Sequence, residues 1–277
     1  MNETFKRTLS GAVYILLLVV CISYSSLSFF VLFGIFLLIA VYEFCNLLGF
    51  NKIIPILLAT IVYGSVSYLS QINIKLNKNF DFSILLATLL ISLKCIAFLY
   101  DKSNKKVEII SKYLYLFGYL ILPFVILTKI PFGVRGYNPK IIIGIFILIW
   151  TNDTFAYIVG KSIGKHKLFE SISPKKTIEG FVGGFAFSIF ASYLISKYYI
   201  EGSITNQYIW IGFAIIVAVF GTIGDLVESK FKRLANVKDS GKIMPGHGGI
   251  LDRLDSVIFV SPFVFLFYQI LNYATFS

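Results

Sequence analysis

The chain has 277 residues, of which 57% are hydrophobic and only 14% are charged, and its formal net charge is +11. A soluble domain usually carries about 25% charged residues, so this composition excludes an ordinary soluble domain and indicates an integral membrane protein. The excess positive charge is not evidence for nucleic-acid binding, because membrane topology explains it better.

Apolar runs long enough to cross a bilayer recur along the whole chain. A transmembrane helix needs roughly 17–25 predominantly apolar residues. Only Ser25 and Ser26 separate the first two candidate runs, so that boundary is weak. We predict an all-α polytopic membrane protein with about nine transmembrane helices. They are expected near residues 9–25, 27–45, 53–70, 82–100, 113–130, 141–160, 178–199, 207–227 and 256–274.

The lysines and arginines between these runs predict the orientation. With nine spans, the side of the N-terminus carries 18 of them and the other side carries 6, with Lys94 inside a span. Because positively charged loops stay in the cytoplasm, the N-terminus is predicted inside and the C-terminus outside.

Charge also divides the chain into two parts. Residues 1–131 should form five helices that act as a scaffold or face lipid, and Glu43 and Lys94 are the main ionisable groups within these spans. Residues 132–277 should form helices six to nine and two charged cytoplasmic loops, 160–177 and 228–255. An ionisable group in or near the hydrocarbon core is energetically costly, so the acidic residues at the ends of the spans that lead into these loops, Asp153, Asp225 and Glu228, are functional candidates. Asp225 and Glu228 are three residues apart and are predicted to share one helical face.

The first charged loop contains Ser173-Pro174-Lys175-Lys176-Thr177 before the seventh span. Pro174 fits the start of a helix, and Ser173 can cap it. A helix N-terminus binds anions through free N–H groups, so Ser173, Lys175 and Lys176 are predicted to bind a phosphate. The alternative is an anchor that contacts lipid headgroups; it explains the lysines but not the glycines at 160, 164 and 180.

The second charged stretch, 229–255, holds six basic residues, three carboxylates, one histidine and four glycines. Lysine and arginine suit phosphate oxygens, and two or three carboxylates with water and substrate phosphate suit Mg²⁺. Asp252 and Asp255, together with Asp225, are therefore candidate metal ligands. The alternative is that Asp252 pairs with a lysine and Asp255 caps a helix. The residues alone indicate a Mg²⁺-dependent membrane enzyme that acts on a phosphorylated or nucleotide substrate at the cytoplasmic surface.

This stretch resembles the signature of the phosphatidate cytidylyltransferase (CDP-diacylglycerol synthase) family. The matching residues are Ser229, Lys232, Arg233, Lys238, Asp239, Pro245, His247, Gly248, Gly249, Asp252, Arg253 and Asp255. Met244 departs conservatively from the branched aliphatic residue expected there. Two upstream segments, 153–161 and 173–180, also resemble the family, whereas the first half is similar only in being hydrophobic.

The resemblance implies the transfer of CMP from CTP to phosphatidate, which gives CDP-diacylglycerol and pyrophosphate. It also implies Mg²⁺ held by Asp225 and Asp252, with a potassium ion as a second cation, and a homodimer by family analogy. It further implies a bacterial inner-membrane location with the active site facing the cytoplasm. We assign a catalytic role to Asp225, Asp252, Lys238, Asp239 and His247, and metal binding to Asp225, Asp252 and Asp255. Substrate binding is assigned to Ser173, Lys175, Lys176, Lys232, Arg233, Gly248, Gly249 and Arg253.

Two other functions remain open at this point. A CTP-dependent lipid kinase, such as one acting on a polyprenol, would use similar lysines and carboxylates but transfer the γ-phosphoryl group. A transporter of anionic solutes would place charges at the bilayer midplane on broken helices, whereas here the charge lies in loops.

Overall fold

The computed structural model describes residues 3–71, 78–101, 107–133, 136–200 and 206–276. Nine helices form the described part, and π-helical turns occur within three of them, at Leu116–Ile121, Ile195–Tyr199 and Val217–Gly221. The helices are α1 (Glu3–Tyr24), α2 (Ser26–Leu48), α3 (Ile53–Gln71), α4 (Lys78–Tyr100), α5 (Ile109–Lys129), α6 (Pro139–Ile163), α7 (Ile178–Tyr199), α8 (Gln207–Leu234) and α9 (Leu251–Phe276).

Eight of the described helices are long and apolar enough to cross a bilayer. The exception is α3, whose apolar segment, Ile53–Leu69, is shorter. Two short antiparallel hairpins join helices: β1 (Phe132–Gly133) pairs with β2 (Gly136–Tyr137), and β3 (Lys167–Phe169) pairs with β4 (Ser173–Thr177). The all-α polytopic membrane class is confirmed.

The weak boundary between the first two spans is a true helix break. Ser25 adopts an extended conformation with φ −163°, and its side chain accepts a hydrogen bond from the Ser28 backbone N–H. The Ser28 side chain accepts in return from the Ser25 N–H, so the two serines form a capping box. At the other end of α2, Gly49 takes the left-handed conformation, with φ +64°, that glycine tolerates best.

Contacts made by loops and helix ends show which segments lie at each end of the bundle. At one end, the Lys230 ammonium donates to the Asp101 carbonyl at 2.6 Å, and Tyr100 meets Phe169 edge to face. At the opposite end, the Tyr137 hydroxyl donates to the Ile22 carbonyl at 2.7 Å. Both charged loops lie at the first end, as the alternation of spans predicts. The positive-inside orientation itself stays a prediction, and Lys75, Lys102, Lys105, Lys106 and Arg135, which were counted for it, lie outside the described residues.

Glycines allow α6 and α7 to pack with their backbones close together. A Cβ on Gly180 would lie 2.6 Å from the Ala156 carbonyl oxygen, and one on Gly184 would lie 2.7 Å from the Asn152 carbonyl oxygen. Small residues at such interfaces let membrane helices approach closely. Helix packing therefore accounts for Gly180 and also for Gly160, where a Cβ would lie 2.9 Å from the Thr177 hydroxyl oxygen and 3.4 Å from Gly180 Cα. Gly164 caps α6, and a Cβ there would lie 2.6 Å from the same Thr177 hydroxyl oxygen.

A buried ring holds α8 against the N-terminal helices. Phe231 is fully buried, and its ring centroid lies 5.2–5.5 Å from the rings of Phe44, Phe98, Tyr115 and Tyr119. Aromatic pairs at this spacing add to the gain from burial. One continuous hydrophobic core therefore includes side chains from both parts of the chain, 1–131 and 132–277.

The seventh span, predicted at 178–199, is found as α7 (Ile178–Tyr199), but the interpretation of Ser173 as its cap and Pro174 as its first residue was wrong. Ser173–Thr177 is a β-strand, and the helix starts at Ile178 with Thr177 as its cap. The Thr177 hydroxyl accepts from the Gly180 N–H at 3.1 Å. Pro174 and Ser173 therefore belong to an extended hairpin, because pairing of β4 with β3 satisfies backbone groups that a helical turn would otherwise use.

We expect Gly184→Val to lower the free energy of unfolding by about 1–3 kcal/mol, because the new side chain would force α7 away from α6. Thermal unfolding of the protein in detergent measures this change. Gly64→Ala is the matched control, because a Cβ on Gly64 meets no atom within 4 Å. Equal unfolding temperatures for both variants would show that the α6–α7 contact is not tight.

Candidate active site

Three carboxylates from two helices converge at the charged end of the bundle. Asp225 and Glu228 lie on α8 and Asp255 lies on α9, and one oxygen of each lies within 4.8 Å of the others. Asp225 and Glu228 are three residues apart and therefore share a helical face. The Glu228 side chain is 1% exposed, and its Oε1 atom has no hydrogen-bond partner among the residues that the structure describes. Clustered oxygen donors of this kind suit a hard divalent cation.

A buried lysine links this cluster to Asp252. The Lys232 ammonium lies 2.7 Å from Asp252 Oδ1 and also contacts Glu228 Oε2. The side chains of Lys232 and Asp252 are 12% and 5% exposed. Asp252 therefore pairs with a lysine, as the alternative interpretation of the sequence predicted. Lys232 is thus a structural counter-charge as well as a candidate phosphate ligand.

The second oxygen of Asp252 accepts three hydrogen bonds. The donors to Oδ2 are the Ser240 N–H at 2.8 Å, the Ser240 hydroxyl at 2.8 Å and the Gly249 N–H at 2.7 Å. A carboxylate with this many donors is held in one orientation. Asp252 thus lies beside the carboxylate cluster, and its role as a metal ligand stays a prediction. Glu228, rather than Asp252, is the third carboxylate grouped with Asp225 and Asp255.

The turn in the signature loop, residues 235–250 between α8 and α9, requires glycine at two positions. Gly246 and Gly248 have φ values of +76° and +87°, which favour glycine. A Cβ on Gly248 would also lie 2.5 Å from Asp252 Oδ2. The Met244 N–H donates to the Gly248 carbonyl at 2.9 Å and closes the turn. Gly248 and Gly249 therefore shape the loop around Asp252, and direct substrate contact by them stays a prediction.

Glu43 reaches this loop from α2. Its side chain is buried, and its Oε1 accepts from the Ile250 N–H at 3.2 Å while its Oε2 accepts from the Leu251 N–H at 2.9 Å. The Ser240 hydroxyl lies 3.2 Å from the same Oε2. In the sequence, Glu43 is an exception in an apolar span. The energetic cost of placing a carboxylate there was itself a signal that Glu43 has a specific partner.

Lys176 reaches the cluster from the β3–β4 hairpin. Its ammonium lies 2.6 Å from Asp225 Oδ2, and the Ser229 hydroxyl donates to Asp225 Oδ1 at 3.2 Å. β4 itself packs against α6 and α7. Lys176 therefore meets Asp225, as a joint phosphate and metal site requires, whereas Lys175 and Ser173 make no such contact.

A cavity of about 210 Å³ lies between α1, α6, α9 and the signature loop. Asp153, His247, Asp252, Arg253 and Asp255 line its polar part. Its apolar wall includes Tyr14, Ile15, Phe146, Ile149 and Trp150. One small cavity thus combines a charged end with an apolar wall.

His247 is fixed by α1. Its Nδ1 atom lies 2.8 Å from the Ser10 hydroxyl oxygen, and a Cβ on Gly11 would lie 3.3 Å from the imidazole ring. Partial burial, together with the positive charges of Arg253 and Arg7, lowers the pKa of His247 below the ordinary histidine value. The neutral imidazole is therefore favoured at neutral pH. No sequence signal pointed to Ser10 or Tyr14, because they lie in an unremarkable apolar helix.

The other predicted residues lie away from the carboxylates. The Arg233 guanidinium donates to the Ile172 and Val237 carbonyls at 3.3 and 3.2 Å and faces a second cavity of about 530 Å³ that Lys230 also lines. Lys238 and Asp239 are exposed, although Asp239 lies near Gly248. Arg233, Lys238 and Asp239 are therefore not brought into the cluster by this geometry.

Comparison with known proteins places the chain in a family. The cytidylyltransferase family pattern matches residues 5–271, so the chain belongs to this family of membrane proteins. The chain is 53% identical over 117 residues to a phosphatidate cytidylyltransferase of Staphylococcus aureus (strain COL), covering 42% of this chain and 44% of that protein. It is 48% identical over 128 residues to the protein of the same name from Staphylococcus epidermidis, covering 46% of this chain and 48% of that protein. The matches thus span about half the length of these relatives.

We expect Lys232→Met to lower the free energy of unfolding by about 3–5 kcal/mol, because it leaves two buried carboxylates without their cation. Chemical or thermal unfolding in detergent measures the loss. Lys238→Met is the control for an exposed lysine and should change stability by less than about 0.5 kcal/mol. If Lys232→Met unfolds like the control, Lys232 is not the counter-charge of Glu228 and Asp252.

Proposed function

We propose that the protein transfers CMP from CTP to phosphatidate, giving CDP-diacylglycerol and pyrophosphate. A phosphate oxygen of the lipid attacks the α-phosphorus of CTP, a new P–O bond forms, and the bond to the β-phosphate oxygen breaks. Family membership and the names of the relatives support this reaction. The observation that carries it here is the carboxylate cluster with Lys176 and Lys232 at the charged end of a membrane bundle.

Charge balance supports a divalent cation as part of this function. Asp225, Glu228, Asp252 and Asp255 are countered at close range by two lysines, Lys176 and Lys232. Carboxylates this close do not all remain ionised without further positive charge. Asp225, Glu228 and Asp255 would hold Mg²⁺, and Asp252 stays a candidate ligand. When bound, Mg²⁺ would stabilise negative charge on the transferring phosphate; a second potassium site and a homodimer also stay predictions.

The chain's own residues would position the two substrates. Both are polyanions, and bringing them together costs electrostatic energy that nearby cations offset. Lys176 lies where it can contact a nucleotide phosphate. Arg253 lines the cavity of about 210 Å³, and no carboxylate pairs with its guanidinium among the described residues, so it is available for the lipid phosphate. The apolar wall on α1 and α6 would keep the glycerol end of the lipid out of water.

Purified protein incubated with CTP labelled in the α-phosphate, phosphatidate and Mg²⁺ should move the label into the lipid phase. The reaction should release pyrophosphate and stop with EDTA. Label that stays as CDP, with a newly phosphorylated lipid, would instead identify a lipid kinase. Accumulation of an anionic solute in vesicles without any chemical product would identify a transporter.

Asp225→Asn and Asp252→Asn should each reduce turnover at least about 100-fold, because each removes a charge that the phosphoryl-transfer site needs. Membrane insertion and size-exclusion profiles should stay normal. Asp81→Asn is a control carboxylate at the opposite end of the bundle, where it pairs with Lys129 at 2.7 Å. Normal turnover by purified Asp225→Asn would remove Asp225 from the metal site.

A further inference from the structure

Glu43 makes an unusual connection between the two parts of the chain. It lies on α2, yet its hydrogen-bond partners Ser240, Ile250 and Leu251 are about two hundred residues later in the sequence. Glycine at two positions gives it room: a Cβ on Gly241 or on Gly249 would collide with the Glu43 carboxylate. The loop is therefore built around this side chain, and the arrangement is more specific than a helix cap alone requires.

The same loop atoms hold Asp252. Ser240 lies between the two carboxylates, with its hydroxyl 3.2 Å from Glu43 Oε2 and 2.8 Å from Asp252 Oδ2. A hydroxyl donates its single proton to one acceptor at a time, and the shorter distance favours Asp252. Gly249 is bounded by Glu43 on one side and donates its N–H to Asp252 Oδ2 at 2.7 Å on the other.

We infer that Glu43 is a positioning residue for the active site. By accepting from the N–H groups of Ile250 and Leu251 and by packing against Gly249, it fixes the start of α9 and so orients Asp252 toward Lys232. This inference rests on the proposed function for its catalytic consequence. Glu43 itself touches no residue of the carboxylate cluster in the described contacts, so it acts through the loop. Residues that orient such groups typically change activity about 10–100-fold when mutated.

Glu43→Gln tests the inference with almost no change of shape. Each Glu43 oxygen faces a backbone N–H, so either orientation of the glutamine amide places its NH₂ group against a donor. Hydrogen exchange of the substrate-free protein should show faster exchange for peptides covering residues 240–251. Because this measurement needs no substrate, it decides whether Glu43 holds the loop even if the proposed reaction is wrong.

The kinetic measurements separate positioning from general stability. Glu43→Gln should lower kcat about 10–100-fold while the KM values for CTP and lipid change by less than about threefold. Ser240→Ala should also lower kcat. The kcat of the double variant should be no lower than that of the less active single variant, because both changes act on one connected unit.

Tyr63→Phe is the matched control, because it removes a buried hydrogen bond of 2.9 Å from Tyr63 to the Phe30 carbonyl of α2, away from the loop. It should lower the unfolding temperature without changing exchange in 240–251 or kcat. Unchanged exchange in Glu43→Gln would overturn the inference. So would a kcat within about twofold of wild type, or losses that multiply in the double variant, which independent sites show.

Discussion

The structure of the charged end depends on one constraint, the energetic cost of burying a charged side chain. A carboxylate removed from water is costly unless a cation or several hydrogen-bond donors compensate it. Asp252 satisfies this requirement with Lys232 on one oxygen and three donors on the other. The signature loop folds around that carboxylate, and its glycines, turn and capping contacts all follow from bringing N–H groups within reach.

Polar and aromatic contacts join the two parts of the chain, 1–131 and 132–277. Glu43 supports the loop from α2, Ser10 contacts His247 from α1, and Phe231 packs into rings from α2, α4 and α5. The N-terminal helices supply apolar packing, and they also supply a few polar groups at defined positions. The site is therefore a property of the whole bundle.

Sequence patterns predicted the parts of the structure that depend on local composition. Apolar length identified the helices within a few residues, and the spacing of Asp225 and Glu228 placed them on one face. The helix start assigned to Pro174 was wrong because the pairing of β4 with β3 is a contact between segments, which outweighs the local preference of Pro174 for a helix start. Helix packing likewise accounts for glycines that resembled a ligand loop.

The remaining difference concerns which acidic residues act together, and it arises from distance in space. Asp252 and Asp255 are equivalent in a sequence pattern, since both belong to one Asp-Arg-x-Asp motif. In the fold they share a face of α9 but lie about 4.5 Å apart along its axis. Asp252, nearer the helix start, meets Lys232 and the loop, whereas Asp255 meets Asp225 and Glu228. Glu228 belongs to the cluster because α8 and α9 pack side by side. Hydrogen-bond donors therefore fix the orientation of Asp252, whereas the packing of the two helices brings the carboxylates of Asp225, Glu228 and Asp255 close together.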